Sequence, residues 1–170
     1  LDVDSKGVVD IEQLKASIKP ETILISIMFA NNEIGTIQPI KEIGEIAKAN
    51  HILFHTDAVQ AIGNVAIDVK EMNIDLLSMS AHKFYGPKGI GAMYIRTGVI
   101  VDRLIAGGHQ ERSKRAGTEN VPGIVGMGKA IETACSSIEK NAAYLSGLRN
   151  YFMDEIEKRI PHIRKNSNTD

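Results

Sequence analysis

The chain has 170 residues, the size of about one domain, and its 43% hydrophobic and 24% charged residues exclude a disordered tail, a collagen-like fibre and a coiled coil. With 20 Lys and Arg against 21 Asp and Glu, the net charge is −1, so no basic field favours nucleic acid or an anionic membrane as a partner. The longest apolar run, 23–30, is far shorter than the ~20 residues that cross a bilayer.

The first part of the chain alternates helical and strand patterns. Residues 12–18 have a helical pattern that Pro20 ends, and 22–30 is an apolar, β-branched run typical of a strand buried on both faces. Pro39 begins a predicted helix over 40–49, whose apolar residues lie on one stripe. Three further strands are predicted at 52–56, 74–80 and 92–95. Strands separated by helix-length crossovers predict an α/β fold with a mainly parallel sheet and flanking helices.

The last part of the chain is predicted to be helical. Apolar residues recur at helical spacing over 124–138 and again over 145–160, which indicates one long helix or two consecutive ones. A domain change is predicted near Asn141. The chain begins at Leu1 without an initiator Met or a signal peptide, and we expect it to be a piece of a longer protein.

Polar side chains follow three of the predicted strands, in segments 31–33, 57–60 and 80–83. In an open parallel sheet, ligands bind at the carboxyl ends of the strands, so these segments are candidate site residues. Asp57 and Lys83 are 26 residues apart, the length of one strand–crossover–strand unit, so both can face one pocket. A lysine partly removed from water is a usable nucleophile, and its commonest covalent product is a Schiff base with a carbonyl, including that of pyridoxal phosphate. That cofactor needs a carboxylate against its pyridine nitrogen, a role that suits Asp57.

Less specific interpretations apply to each of these residues alone. A loop Lys or Asp is usually a solvated surface charge, NNEIG is a plausible turn, and GPKGIG is a weak phosphate loop. A nucleotide-binding P-loop fails because no Ser or Thr follows Lys88, and no His or Cys spacing predicts a metal site. His55, within a strand, is expected to pack or to orient a neighbour. The joint occurrence of polar segments at consecutive strand ends favours a shared site.

Four segments carry a resemblance to a known family: MFANNEIGTIQPI, HTDAVQAIG, SMSAHKFYGPKGIGAMYI and GGHQERSKRAGTENV. In order and spacing they resemble the class V pyridoxal-phosphate enzymes, and among these the cysteine desulfurases of the NifS/IscS kind. The resemblance covers nearly the whole chain, and the SAHKFYGPKG block is highly specific. It implies the large domain of a fold-type I enzyme, with 1–140 as the central part of the cofactor-binding domain. Residues 141–170 would be a helix leading into a truncated C-terminal small domain.

The resemblance also implies roles for individual residues. Lys83 would hold pyridoxal 5′-phosphate covalently and move the proton at the substrate Cα. Asp57 would pair with the pyridinium nitrogen, and Asn32 and Gln60 would lie near the phenolic oxygen of the cofactor.

Three further residues are assigned to the cofactor phosphate by the same resemblance. Ser80 and His82 would bind the phosphate within one subunit, and Thr118 would reach the phosphate of the neighbouring subunit, which implies a homodimer. The substrate would be L-cysteine. The products would be L-alanine and an enzyme persulfide, which supplies a sulfur acceptor or a scaffold for iron–sulfur cluster assembly.

The only cysteine, Cys135, does not match the sulfur-accepting cysteine of this family, which lies in a loop downstream of the RAGTEN block. On the apolar stripe of a predicted helix, Cys135 is expected to be a small buried hydrophobic residue, so the chain alone is expected to be inactive. A single cysteine cannot form an internal disulfide, and a cytoplasmic location is expected.

Alternative functions remain open at this point. Within the same family, the alternatives are a selenocysteine lyase or another class V lyase or aminotransferase. From a different class, the alternative is a non-catalytic scaffold domain that retained the fold. The presence of Lys83 together with Asp57 argues against the scaffold, since a scaffold needs neither.

Overall fold

A computed structural model of the protein describes residues 1–166; residues 167–170, the end of the predicted 141–170 segment, lie outside the described part. The strands are β1 (Leu24–Ser26), β2 (Leu53–Asp57), β3 (Leu76–Ser80) and β4 (Gly91–Ile95). The helices are α1 (Ile11–Ser17), α2 (Ile40–Ala49), α3 (Gln110–Ser113), α4 (Val121–Cys135) and α5 (Ile138–Arg159), with a 3₁₀ helix at Ala81–Phe84.

The four strands form one sheet in the order β1-β2-β3-β4. The pairs β1–β2 and β2–β3 are parallel, and β4 is antiparallel to β3. The predicted α/β fold with a mainly parallel sheet is therefore confirmed. In the register, Ser26 lies opposite His55, and Asp57 lies opposite Ser78.

The predicted strand over 22–30 is shorter in the structure, because β1 contains only Leu24–Ser26. The chain nevertheless stays beside β2 beyond this point. The backbone N–H of Phe29 donates to the carbonyl of Asp57 at 2.8 Å. From Ala30 the backbone pairs with its own return segment, through a bridge between Ala30 and Ile37, and this loop ends the alignment with β2.

Alternate residues of the strands point to two different faces of the sheet. One face, which we call the covered face, carries the fully buried side chains of Phe54, Thr56 and Leu77. They belong to one core with apolar residues of α2, namely Ile40, Ile43 and Ala47. The helix α2 has the predicted bounds, and its buried stripe explains why the sequence pattern located it well.

The opposite side of the sheet, which we call the polar face, carries Ser26, His55, Asp57, Ser78 and Ser80. None of these five is buried, and all are exposed or half-buried. Toward the carboxyl ends of β2 and β3, the two faces therefore separate apolar packing from polar side chains, whereas Leu24 and Leu76 lie on the polar face at the starts of β1 and β3.

Asp75 joins three strands at the end of the sheet opposite the segments singled out above. Its carboxylate accepts the backbone N–H of Phe54 at 2.8 Å and forms an ion pair with the guanidinium of Arg96, directly after β4. Asp75 is 8% exposed, so this carboxylate is compensated by partners rather than by water.

The C-terminal part contains two helices rather than one, because α4 ends at Cys135 and α5 begins at Ile138. The helix α5 contributes no buried residue. None of the helices in the described residues has the length and apolar character needed to cross a membrane.

Candidate functional site

Asp57 is the last residue of β2 and lies on the polar face, opposite Ser78 of β3. One carboxylate oxygen, Oδ1, accepts the backbone N–H of Val59 at 2.9 Å. This hydrogen bond arises because the chain turns sharply after β2, and it fixes the orientation of the carboxylate. The other oxygen, Oδ2, accepts no hydrogen bond from residues 1–166 and is free to meet a ligand.

The exit of β3 forms a short polar turn. Ser80 ends the strand, and its hydroxyl is hydrogen-bonded to Nδ1 of His82 at 2.9 Å. The following 3₁₀ helix is anchored by the buried side chains of Ala81 and Phe84, three residues apart on one side of the turn. His82 and Lys83 lie between these anchors and are exposed.

The Lys83 ammonium has no hydrogen bond or ion pair with any residue of the described part of the chain. Lys83 also lines a cleft of about 970 Å³ between the 3₁₀ helix, α4 and α5, with Asn64, Tyr85 and Lys129 among its other lining residues. The helix α4 approaches closely at Gly86, where an added Cβ would lie 3.3 Å from the side chain of Ala130. Close packing therefore holds the Lys83 turn in place while its amine stays free.

The remaining predicted site residues lie in loops. Asn32 is exposed in the loop after β1, and its neighbour Asn31 organises that loop by accepting the N–H of Glu33 at 2.8 Å. Gln60 is half-buried in the turn after β2. Thr118 is exposed in a different segment, the loop that precedes α4. Four of the predicted site residues therefore lie at one edge of the sheet: Asp57, Ser80, His82 and Lys83. Asn32 and Gln60 lie in loops that leave this edge. Thr118 does not follow a strand of this edge but lies in the loop before α4.

His55 has a more specific environment than its sequence position indicates. Its Nδ1 is 2.7 Å from the hydroxyl of Ser26, and its Nε2 is 2.9 Å from the hydroxyl of Ser78. Burial lowers the pKa of His55, against the smaller raising influence of the Asp57 carboxylate. The alternation of the HTD segment indicates that His55 and Asp57 share a face, but no local pattern identifies serines of two other strands as partners.

The expectation that Cys135 is buried is wrong, because its side chain is exposed. It is the last residue of α4, directly after Ala134, which packs close to Gly63. Cys135 lines an apolar cleft with Leu77 and Met79. Leu77 belongs to the covered face, and Met79, two residues further along β3, lies on the same side of the sheet. Its thiol is therefore on the side of the sheet opposite Asp57.

Comparisons with known proteins agree with this arrangement. The sequence profile of the family described as "Aminotransferase class-V" matches residues 1–170. The cysteine desulfurase IscS of Clostridium botulinum (strain Hall) is 62% identical over 170 residues, which are 100% of this chain and 43% of that protein. The cysteine desulfurase IscS of Methanosarcina thermophila is 63% identical over 166 residues, 98% of this chain and 41% of that protein. The chain thus spans less than half the length of the curated relatives it matches.

Two solved structures are similar in both fold and sequence. A structure described as a NifS-like protein has a TM-score of 0.93 and 44% identity, covering 98% of this chain and 46% of its own. A structure described as SspA in complex with cysteine has a TM-score of 0.76 and 48% identity, covering 78% of this chain and 39% of its own.

Proposed function

The chain belongs to the class-V aminotransferase family, and from that membership we propose that it forms the cofactor centre of a pyridoxal 5′-phosphate-dependent cysteine desulfurase. The observation that carries the proposal is the convergence of Asp57, His82 and Lys83 at the carboxyl edge of two parallel strands. The two IscS relatives carry the name cysteine desulfurase, and the SspA structure contains cysteine. Both names support L-cysteine as the substrate.

The residues at this edge fit the chemistry of pyridoxal 5′-phosphate. The aldehyde requires an amine free of other partners, which Lys83 offers. The pyridine nitrogen requires a carboxylate, and Asp57 has one oxygen free of hydrogen bonds from residues 1–166. The phosphate requires polar donors, for which the Ser80 hydroxyl and the His82 imidazole are suitable. When bound, the cofactor supplies a sink for the electrons released at the substrate Cα.

Each residue of the site has its own role in this proposal. Asp57 holds a proton on the ring nitrogen, because its negative charge favours the protonated form. Lys83 holds the cofactor and moves the proton at the substrate Cα. Asn32 and Gln60 hydrogen-bond near the phenolic oxygen. Thr118 reaches the phosphate in a second copy of the chain, which makes the protein a homodimer.

For the complete protein we propose removal of sulfur from L-cysteine. The C–S bond of the substrate breaks, L-alanine leaves, and the sulfur adds to a protein thiol as a persulfide for an acceptor or an iron–sulfur scaffold. The accepting thiol is not Cys135, since it lies on the other side of the sheet. In this proposal 1–140 is the central part of the large domain, 141–170 leads into a small domain, and the enzyme works in the cytoplasm.

Covalent trapping tests the proposal directly. The complete protein is incubated with pyridoxal 5′-phosphate, reduced with borohydride and mapped by peptide mass spectrometry, and the pyridoxyl group is expected on Lys83. The matched control is Lys88→Ala, which removes another exposed lysine five residues along the chain and should leave the adduct in place. An adduct on Lys88, or none in the wild type, would contradict the proposal.

A further inference from the structure

A hydrogen-bonded chain of three side chains crosses the polar face from β1 to β3. Ser26, His55 and Ser78 belong to three adjacent strands, and both ring nitrogens of His55 lie within hydrogen-bond distance of a hydroxyl, at 2.7 and 2.9 Å. A half-buried imidazole that is bonded on both sides cannot rotate without losing both hydrogen bonds.

This chain of side chains lies beside Asp57 on the polar face. His55 and Asp57 are two residues apart in β2, so their side chains share the polar face. Ser78, which His55 contacts, is the residue opposite Asp57 in the register of β2 with β3. The bond from His55 to Ser78 is therefore a diagonal link that fixes the two strands where Asp57 leaves the sheet.

The charge state of His55 also affects Asp57. Hydroxyl groups can donate to one ring nitrogen and accept from the other, which suits a neutral imidazole. Burial lowers the pKa of His55, whereas Asp57, on the same strand, is the one charged group that raises it. The ring is therefore neutral near pH 7, and no imidazolium beside Asp57 competes for its negative charge.

We propose that His55 is a positioning residue for Asp57: tied to Ser26 and Ser78, it holds the end of β2 that carries Asp57 in place for a cationic ring nitrogen, without neutralising the carboxylate. This inference rests on the proposed function, because it assumes that Asp57 meets the pyridine ring. It assigns a role to a side chain that does not itself touch the cofactor.

The test compares two ligands of the complete protein: pyridoxal 5′-phosphate and its 1-deaza analogue, in which the ring nitrogen is replaced by C–H. The wild type should bind the natural cofactor more tightly, because only that ring can carry the positive charge that Asp57 pairs with. The measured quantity is the dissociation constant of the analogue divided by that of the natural cofactor. In His55→Gln this ratio should fall by about tenfold, because the two hydrogen bonds that hold β2 beside Asp57 are lost or weakened. His51→Gln, at an exposed histidine four residues earlier, is the matched control and should keep the wild-type ratio.

A second variant and a second measurement keep the inference falsifiable. Ser78→Ala removes only the diagonal link and should lower the ratio in the same direction, so it decides the question if His55→Gln does not fold. Nitrogen NMR of the wild type should show a neutral His55 ring at pH 7. A ratio that stays unchanged while both ligands bind more weakly, or a charged ring at pH 7, would overturn the inference. A wild type that binds neither ligand would instead overturn the proposed function.

Discussion

On the covered face Phe54, Thr56 and Leu77 are at most 1% exposed, whereas His55, Asp57 and Ser78 of the same two strands remain partly open to solvent on the polar face. Strand alternation alone separates the two sets. The covered face stabilises the sheet by burial, and the polar face presents a carboxylate, an imidazole and hydroxyl groups. Substitutions at neighbouring positions of one strand should therefore affect different properties, either stability or chemistry.

The largest effect is expected at Asp57. In Asp57→Asn of the complete protein, turnover of L-cysteine should fall by about a thousandfold, because an amide cannot hold a proton on the ring nitrogen. Stability should change little, since the side chain is half-buried and has one hydrogen bond from Val59. Alanine production and thermal unfolding are measured together. Asp102→Asn, at an exposed aspartate, serves as the control, and undiminished turnover in Asp57→Asn would remove this carboxylate from the mechanism.

The next effect is expected on the covered face. Leu77→Ala should lower the free energy of unfolding by about 3 kcal/mol, because it leaves a cavity in a core where Leu77 is 1% exposed. Leu24→Ala makes the matched comparison: Leu24 is 45% exposed on the other side of the sheet, and its loss should cost less than about 1 kcal/mol. Chemical denaturation measures both variants. Equal losses would show that the two faces do not differ as described.

Some features of the fold can be predicted from the sequence more reliably than others. The apolar runs located β2, β3 and β4 to within two residues, and the stripe of α2 gave its bounds, because burial imposes a periodicity that can be read locally. The strand over 22–30 was overestimated, because the bridge from Ala30 to Ile37 is a pairing within a loop that apolarity does not reveal.

The candidate site shows the same limit. The position of Asp57 and Lys83 at one edge of the sheet could be predicted, because polar residues after parallel strands lie at the same edge, whereas their roles stay a prediction. The partners of His55 could not, since Ser26 and Ser78 lie 29 and 23 residues away and become neighbours only through the register. The predicted burial of Cys135 is wrong because a hydrophobic stripe shows which side of a helix faces the core, but not whether the end of the helix reaches the core.

A smaller change in the free energy of unfolding, an increase rather than a loss, is expected at Thr56. Its hydroxyl is fully buried on the covered face and has no hydrogen-bond partner in the described part of the protein. Thr56→Val keeps the shape and removes the unsatisfied group, so it should raise the free energy of unfolding by about 1 kcal/mol. Thr56→Ser keeps the hydroxyl and loses a methyl group, so it should destabilise the protein. A loss of stability in Thr56→Val would indicate a partner for the hydroxyl.

The smallest effect is expected at Cys135. Because the sheet lies between this thiol and Asp57, Cys135→Ala should leave the turnover of the complete protein unchanged. The exposed thiol should nevertheless react readily with a thiol reagent in the wild type. The 170-residue chain by itself should release no sulfide from L-cysteine, and sulfide that disappeared with Cys135→Ala would show that this thiol does reach the site.

The order of the sheet, β1-β2-β3-β4, also has a consequence for synthesis. Every strand of the described sheet pairs with the strand next to it in the chain, so each pairing closes only one crossover or turn. Within residues 1–166, no strand has to be inserted between two strands that are already paired. Pairing can follow translation strand by strand, which shortens the time for which an unpaired edge is exposed to aggregation in the crowded cell.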